Sequence, residues 1–201
     1  MSDCYVLLVT LDGGTDMNVH YMLGQHVRLE ALTSSRDTEV MKNWTMQSAA
    51  WRMLDVALAR TPKLAETDNR TDYVCFLIYP LDDDRPIGHA GLFGVNSVAG
   101  ETWLSIGLGE RIHWEAGLAT DALQVILRYA FAELGLSRVL IGVFDYDARA
   151  ILSYEEAGFA IEGRMLQEGR QGSQPRAGLR MGVRRDAWEM TRNTQYGIRV
   201  S

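Results

Sequence analysis

The order of patterned segments in this 201-residue chain predicts a single α/β (α+β) domain with a mixed, mostly antiparallel central sheet flanked by helices. Three observations carry that expectation. The length suits one well-buried domain, and a composition of 47% hydrophobic and 23% charged residues is ordinarily globular. Short apolar or alternating runs, spaced by turn residues, fill the middle of the chain as a strand meander. From residue 101 onward the pattern changes to β-α-β-α-β-β, which embeds one parallel βαβ unit in an otherwise antiparallel sheet.

The elements follow in order. Val27, Leu29 and Ala31 alternate with Arg28 and Glu30, the period of a half-buried strand. Thr33-Ser34-Ser35-Arg36-Asp37 is rich in capping residues and predicts a helix running through Trp44, with a second from Ser48 to Ala59. Residues 61–71 are polar, contain Pro62 and read as a loop. Tyr73–Tyr79 is an apolar strand. The acidic run Asp82-Asp83-Asp84 reads as a solvated hairpin turn, and Pro86–Val95 and Glu101–Leu108 complete the meander. Gly88, Gly91 and Gly94 are candidate bulge positions. Thr120–Leu134 is the clearest helix: Asp121, Gln124 and Arg128 share one face, and Gly135 is placed to end it. Val139–Phe144 reads as a buried strand, Asp147 as the cap of a short helix ending near Gly158, and Phe159 and Leu179–Val183 as the last two strands.

Charge and cysteine usage exclude several classes. A formal net charge of −6 argues against a broad nucleic-acid surface. Cys4 and Cys75 are far apart and lack a CxxC partner, which suits a reducing, cytoplasmic setting rather than a disulfide framework. His20, His26, His89 and His113 show no metal-binding spacing, so no metal is expected. The run Tyr5–Leu11 is too short to span a bilayer and lacks a basic leader. It reads as an edge strand or as an extension, with Met17 and Met22 as internal starts.

The stretch Trp114-Glu115-Ala116-Gly117-Leu118-Ala119-Thr120 follows the strand Trp103–Leu108 and opens the long helix. A strand, a small-residue turn and a helix N-terminus present backbone N–H groups to an anion, and Gly117 and Ala119 leave room for a phosphate to approach. Taken alone, the motif is weak, and the stretch reads better as an ordinary helix start.

The surrounding residues resolve that ambiguity by resemblance. Gly109-Glu110-Arg111, the stretch from Trp114 to Ala122, Tyr129-Ala130-Phe131 and Leu134-Gly135-Leu136 occur in order. Arg138-Val139, Val143-Phe144, Arg149-Ala150-Ile151 and Ser153-Tyr154-Glu155-Glu156-Ala157-Gly158-Phe159 follow, then Glu162-Gly163-Arg164 and Met181-Gly182-Val183. The ordered set resembles the GNAT superfamily of N-acetyltransferases, its RimJ/RimL-like branch in particular. The resemblance divides the chain into an N-terminal extension (1–21), an N-acetyltransferase domain (22–190) and a C-terminal tail (191–201).

The resemblance implies a sheet splayed at an acetyl-CoA site, with direct acetyl transfer to an amine in a ternary complex. It places the pyrophosphate on Trp114, Glu115, Ala116, Gly117, Leu118, Ala119 and Thr120, and the pantetheine and thioester along Ile106, Gly107 and Leu108, with Asp147 and Ala150 also at the cofactor. Gly107 either lets the cofactor approach its strand or marks a bulge. Tyr154 is implied as the general acid that protonates the departing thiolate. Two positions depart from the family pattern. Asp147 stands where Asn is common, and Glu115-Ala116-Gly117 stands where Gly-Lys-Gly is common. A carboxylate at Glu115 would repel a pyrophosphate unless turned to solvent. Glu101, Glu110 and His113 are candidate bases by position only. The implied acceptor is a protein N-terminal amine. Polyamines or aminoglycoside-type antibiotics are the alternatives, a non-catalytic acyl-CoA-binding module is the rival, and a homodimer is the implied association. Arg164, Arg170, Arg176 and Arg180 would disfavour a polycation if they face the cleft.

Overall fold

The computed structural model describes residues 21–31, 73–96, 98–109, 117–167 and 176–196. The predicted helices within residues 34–59, the loop 61–71, the run Tyr5–Leu11 and the turn residues Glu110, His113, Trp114, Glu115 and Ala116 lie outside the described residues.

Eight strands form one sheet: β1 (Tyr21–Leu23), β2 (Val27–Ala31), β3 (Tyr73–Pro80), β4 (Gly88–Asn96), β5 (Glu101–Leu108), β6 (Arg138–Phe144), β7 (Ala160–Gln167) and β8 (Arg176–Arg184). Their spatial order is β1-β2-β3-β4-β5-β6-β8-β7. Every pairing is antiparallel except β5 with β6, the parallel step that the βαβ pattern requires.

Local chemistry explains the joints. In the β3–β4 turn, Asp83 takes the Arg85 backbone N–H at 2.9 Å and its guanidinium at 2.9 Å. Arg28 reaches the same turn, donating to Asp84 at 2.8 Å and to the Pro80 carbonyl at 2.9 Å, with its guanidinium 4.7 Å from the centre of the Tyr79 ring. The acidic run is therefore a hairpin turn stitched to β2. Of the three glycines in β4, only Gly94, at φ 60°, falls in the register shift between Phe93 and Asn96. The ladder runs unbroken through Gly88 and Gly91.

The long helix divides in two. α1 spans Leu118–Arg128, and a wide π-helical turn continues it over Tyr129–Glu133, closed by Leu134 N–H donating to the Tyr129 carbonyl at 3.0 Å. Apolar spacing alone reads as one helix to Leu134, because the extra residue in the turn leaves Ala130 and Phe131 buried. Phe131 packs on Trp188 (centroids 5.3 Å apart), and the Trp188 indole N–H donates to Gln124 at 2.8 Å. This joins α1 to α3 (Arg185–Tyr196). α2 (Ala148–Glu156) completes the helices among the described residues.

The core lies between one face of the sheet and these helices. Leu104 and Ile106 of β5, Ile141 and Val143 of β6, and Leu179, Met181 and Val183 of β8 meet Leu123, Ile126 and Leu127 of α1 there. By the two-residue alternation of strands, Trp103, Ser105 and Gly107 belong to the opposite face. Asp121, in the first turn of α1, anchors the helix to the β1–β2 turn. Its carboxylate accepts the backbone N–H groups of Gln25 (3.0 Å), His26 (2.7 Å) and Val27 (3.0 Å).

Candidate active site

The parallel pairing of β5 and β6 starts at Glu101↔Arg138 and stops at Leu104↔Ile141. β5 continues to Leu108 on β4, and β6 continues to Phe144 on β8. The two strands thus diverge over their C-terminal halves, and the ladder alternation shows which backbone groups are left facing the gap. Gly109 N–H bonds the Ile87 carbonyl and Arg185 N–H bonds the Ser137 carbonyl. Odd-numbered residues of β5 therefore bond to β4, and odd-numbered residues of β6 bond to β8. Ile106 and Leu108 on one wall, and Gly142 and Phe144 on the other, turn their backbone N–H and carbonyl groups into the cleft. Such edges suit an amide-bearing chain lying between them, and an N–H there can polarise a carbonyl.

The N-terminus of α1 stands on the helix-covered side. Gly117 is its N-cap at φ 70°, and this cap residue makes no side-chain bond to the helix. The first bond inside the helix is Asp121 N–H to the Gly117 carbonyl at 2.9 Å. The N–H groups of Leu118, Ala119 and Thr120 precede that bond, so the helix itself supplies no acceptor for them. They are directed outward at the positive end of the helix dipole, an anion-binding arrangement. Thr120 Oγ1 lies 3.2 Å from Ser153 Oγ on α2, which sets the start of α1 beside the second half of α2.

α2 carries Tyr154. Its ring packs against Phe159 (centroids 5.9 Å) and against the core. Burial, reinforced by the Asp147 carboxylate, pushes the phenol well above its ordinary value. A phenol so placed stays protonated at neutral pH, the state a proton donor needs. Asp147 is the α2 N-cap: its carboxylate accepts Ala150 N–H at 3.1 Å, so both residues take part in starting the helix. Glu101 sits at the far end of β5 from the gap, and its carboxylate meets Arg138 at 3.3 Å. It is built into an ion pair rather than presented to the cleft.

Gly107 has a structural explanation that its sequence context did not supply. No bulge occurs there, since the β4–β5 register runs through Gly107↔His89. A Cβ on Gly107 would stand 3.1 Å from His89 Cε1, so the imidazole occupies the space that a side chain would take. His89 Nε2 lies 3.4 Å from Ser105 Oγ, and both residues are buried, His89 to 3% exposure. Neither stood out in the sequence beyond one imidazole interrupting the apolar run Ile87–Phe93.

Burial lowers the His89 pKa from 6.5 to about 4. The unfolded chain therefore binds the extra proton between those values. The stabilising contribution is complete above about pH 6.5 and is lost as pH falls toward 4, about 3 kcal/mol in all. Urea denaturation from pH 7 down to 4 should show that loss in the wild type and much less of it in His89→Gln. An equal acid loss in the variant would assign it to other groups.

Comparison with known proteins places this geometry. The family described as the acetyltransferase (GNAT) domain matches residues 15–160, and the chain belongs to that family, which uses acetyl-CoA. A probable N-acetyltransferase, YjcK, of Bacillus subtilis (strain 168) is 34% identical over 88 residues, covering 44% of this chain and 49% of the relative. The match thus spans about half the length of that curated relative. Among solved structures, the spermidine N-acetyltransferase from Vibrio cholerae in complex with CoA and spermine aligns at TM-score 0.64 and 18% identity, over 82% of this chain and 98% of that one. A manganese complex of the same enzyme, SpeG, aligns at TM-score 0.62 and 18% identity, over 87% and 98%. These structures share the fold: one domain built on a mixed sheet with flanking helices.

The residues present fit acetyl-CoA. The α1 N-terminus offers donors to its phosphates, and the diverging strand edges offer donors and acceptors to its pantetheine amides. Among the described residues no group of three or more His, Cys, Asp or Glu side chains is placed to hold a metal ion, and no helix is long and apolar enough to cross a membrane.

Proposed function

We propose that this protein is an acetyl-CoA-dependent N-acetyltransferase that passes the acetyl group directly to a primary amine in a ternary complex. The observation that carries this reading is the end of the β5–β6 ladder at Leu104↔Ile141, opening beside the N-terminus of α1. With the phosphates on Leu118–Thr120, the thioester reaches the gap, and the Ile106 backbone N–H stabilises its oxygen as negative charge develops. The N–C bond forms as the C–S bond breaks. The amine gives up its proton to solvent, and the thiolate takes one from Tyr154. Positioning and electrostatics supply most of the acceleration.

We propose a protein N-terminal amine as acceptor, in keeping with the RimJ/RimL-like motifs, and a cytoplasmic setting with a homodimer as the assembly. Arg180 stands near this site but is ion-paired with Glu162 at 3.4 Å, so it does not by itself disfavour a polycation. It pairs with Gly142, so it shares the sheet face opposite the helices at the level where the cleft opens. Arg164 pairs with Leu179 and belongs to the helix face; Arg170 and the Arg176 side chain lie outside the described residues. The polyamine reading draws its support from the spermine named in one neighbour.

Calorimetric titration with acetyl-CoA tests the proposal, with NADH as control. We expect micromolar binding of acetyl-CoA alone, about −8 kcal/mol. Gly117→Ala should weaken it roughly five- to thirtyfold. Among the described residues nothing stands within 4 Å of a methyl group there, but a non-glycine residue in the left-handed region costs about 1–2 kcal/mol. A folded protein that binds no acetyl-CoA would refute the reading.

A further inference from the structure

The acceptor needs a group that receives one of its N–H bonds and so aims its lone pair at the thioester. The phosphate site, α1 and Tyr154 all lie on the helix-covered face of the sheet, so an amine reaches a thioester held in the cleft from the opposite face. On that face the first β5 residue beyond the last parallel pair is Ser105, and its counterpart on β6 is Gly142. Among the described residues, the carboxylates nearby are already engaged. Glu101 meets Arg138 at 3.3 Å. Glu162, re-aimed by the β7 bulge between Ile161 and Gly163, receives Arg138 at 2.6 Å and Arg180 at 3.4 Å. The backbone groups of Ile106 in the gap are committed to the donor substrate.

We infer that Ser105 accepts a hydrogen bond from the incoming amine and that His89 is the positioning residue that fixes its hydroxyl, with Ser105 O–H donating to His89 Nε2. Three observations place the pair. The two groups are 3.4 Å apart, both are buried, and the His89 ring is seated in the space that Gly107 leaves vacant, so it is held by the strand register rather than by a flexible rotamer. A neutral imidazole offers one acceptor nitrogen. Once the serine proton is directed at it, both serine lone pairs remain for the amine. The pair orients the amine and carries no proton. This inference rests on the acetyl-transfer reading and names how that site receives its acceptor.

Two measurements test it together. In protein labelled with ¹⁵N-histidine, the His89 ring should be neutral, protonated on Nδ1, with an Nε2 resonance that shifts in Ser105→Ala. In steady-state assays with spermine and with a tripeptide bearing a free N-terminus, Ser105→Ala and His89→Gln should each lower kcat/KM for whichever amine is used by roughly ten- to thirtyfold. The KM for acetyl-CoA should stay unchanged, Ser105→Thr should restore most of the loss, and the double variant should be little worse than either single one. An Nε2-protonated ring, additive losses, or an equal loss toward acetyl-CoA would overturn it. The ring measurement needs no acceptor, so it decides the inference even if neither amine is turned over. Absence of acetyl-CoA binding in the wild type would instead count against the underlying reading.

Discussion

Replacing Tyr154 with phenylalanine is expected to lower turnover by roughly a hundredfold or more, the usual contribution of a positioned proton donor, while acetyl-CoA still binds. The change removes one oxygen and leaves the ring, so the packing on Phe159 at 5.9 Å and the hydrophobic burial persist. The two functions Tyr154 could serve are thereby separated. If the phenol protonates the thiolate, the loss appears in kcat and not in the calorimetric affinity for CoA. If the ring only fills space under the sheet, both quantities stay put. Because burial and the Asp147 carboxylate raise the phenol pKa, the group stays protonated throughout the neutral and mildly alkaline range. Wild-type kcat should therefore show no decline from Tyr154 ionisation below its ordinary value of about 10. The same variant distinguishes an enzyme from an acyl-CoA-binding module: a module would show neither turnover to lose nor a change in binding.

How much of this was legible in the sequence depended on whether the signal was local. The strands β2, β3, β5 and β6 follow from alternation or continuous apolar runs, and the Asp147 cap and the Gly135 stop are single-residue signatures at helix ends. The π turn at Tyr129–Glu133 is silent in sequence, because inserting one residue into a turn leaves the apolar residues still facing the core. The phosphate-binding reading of Gly117–Thr120 was available as a local motif, whereas the splayed cleft was implied only by the family resemblance. Its opening is set by where two strands 37 residues apart (Glu101↔Arg138 to Leu104↔Ile141) cease to pair, and nothing in either strand announces that point. His89 and Ser105 illustrate the same limit. They are 16 residues apart and meet only because the β4–β5 register sets Gly107 opposite the imidazole. Glu162 faces two arginines because a bulge displaces it, which apolar periodicity does not record.

Asp121→Asn is expected to destabilise the protein nearly as much as Asp121→Ala, by about 2–4 kcal/mol. Charge-assisted hydrogen bonds contribute roughly 1.5–3 kcal/mol each, and three of them share this one carboxylate. The geometry explains why the near-isosteric change is no rescue. One carboxylate oxygen takes Gln25 N–H at 3.0 Å, while the other takes His26 N–H at 2.7 Å and Val27 N–H at 3.0 Å. An amide has one oxygen, so whichever way it is flipped an NH₂ donor faces at least one backbone donor. The carboxylate also fills the space that a Cβ on Gly24 would take, 2.5 Å from it, so a side chain at Gly24 would displace the anchor. For a chain of this size a loss of 2–4 kcal/mol corresponds to a fall in Tm of about 5–15 °C, readable by calorimetry. The same carboxylate ties the first turn of α1 to the β1–β2 turn, so the loss should extend to function. With the anchor gone, the N–H groups of Leu118, Ala119 and Thr120 lose their fixed aim, and acetyl-CoA affinity should fall even at temperatures where the variant remains folded. A variant with a lowered Tm but wild-type affinity would show that the anchor serves stability alone, and that the phosphate-binding turn is held from elsewhere.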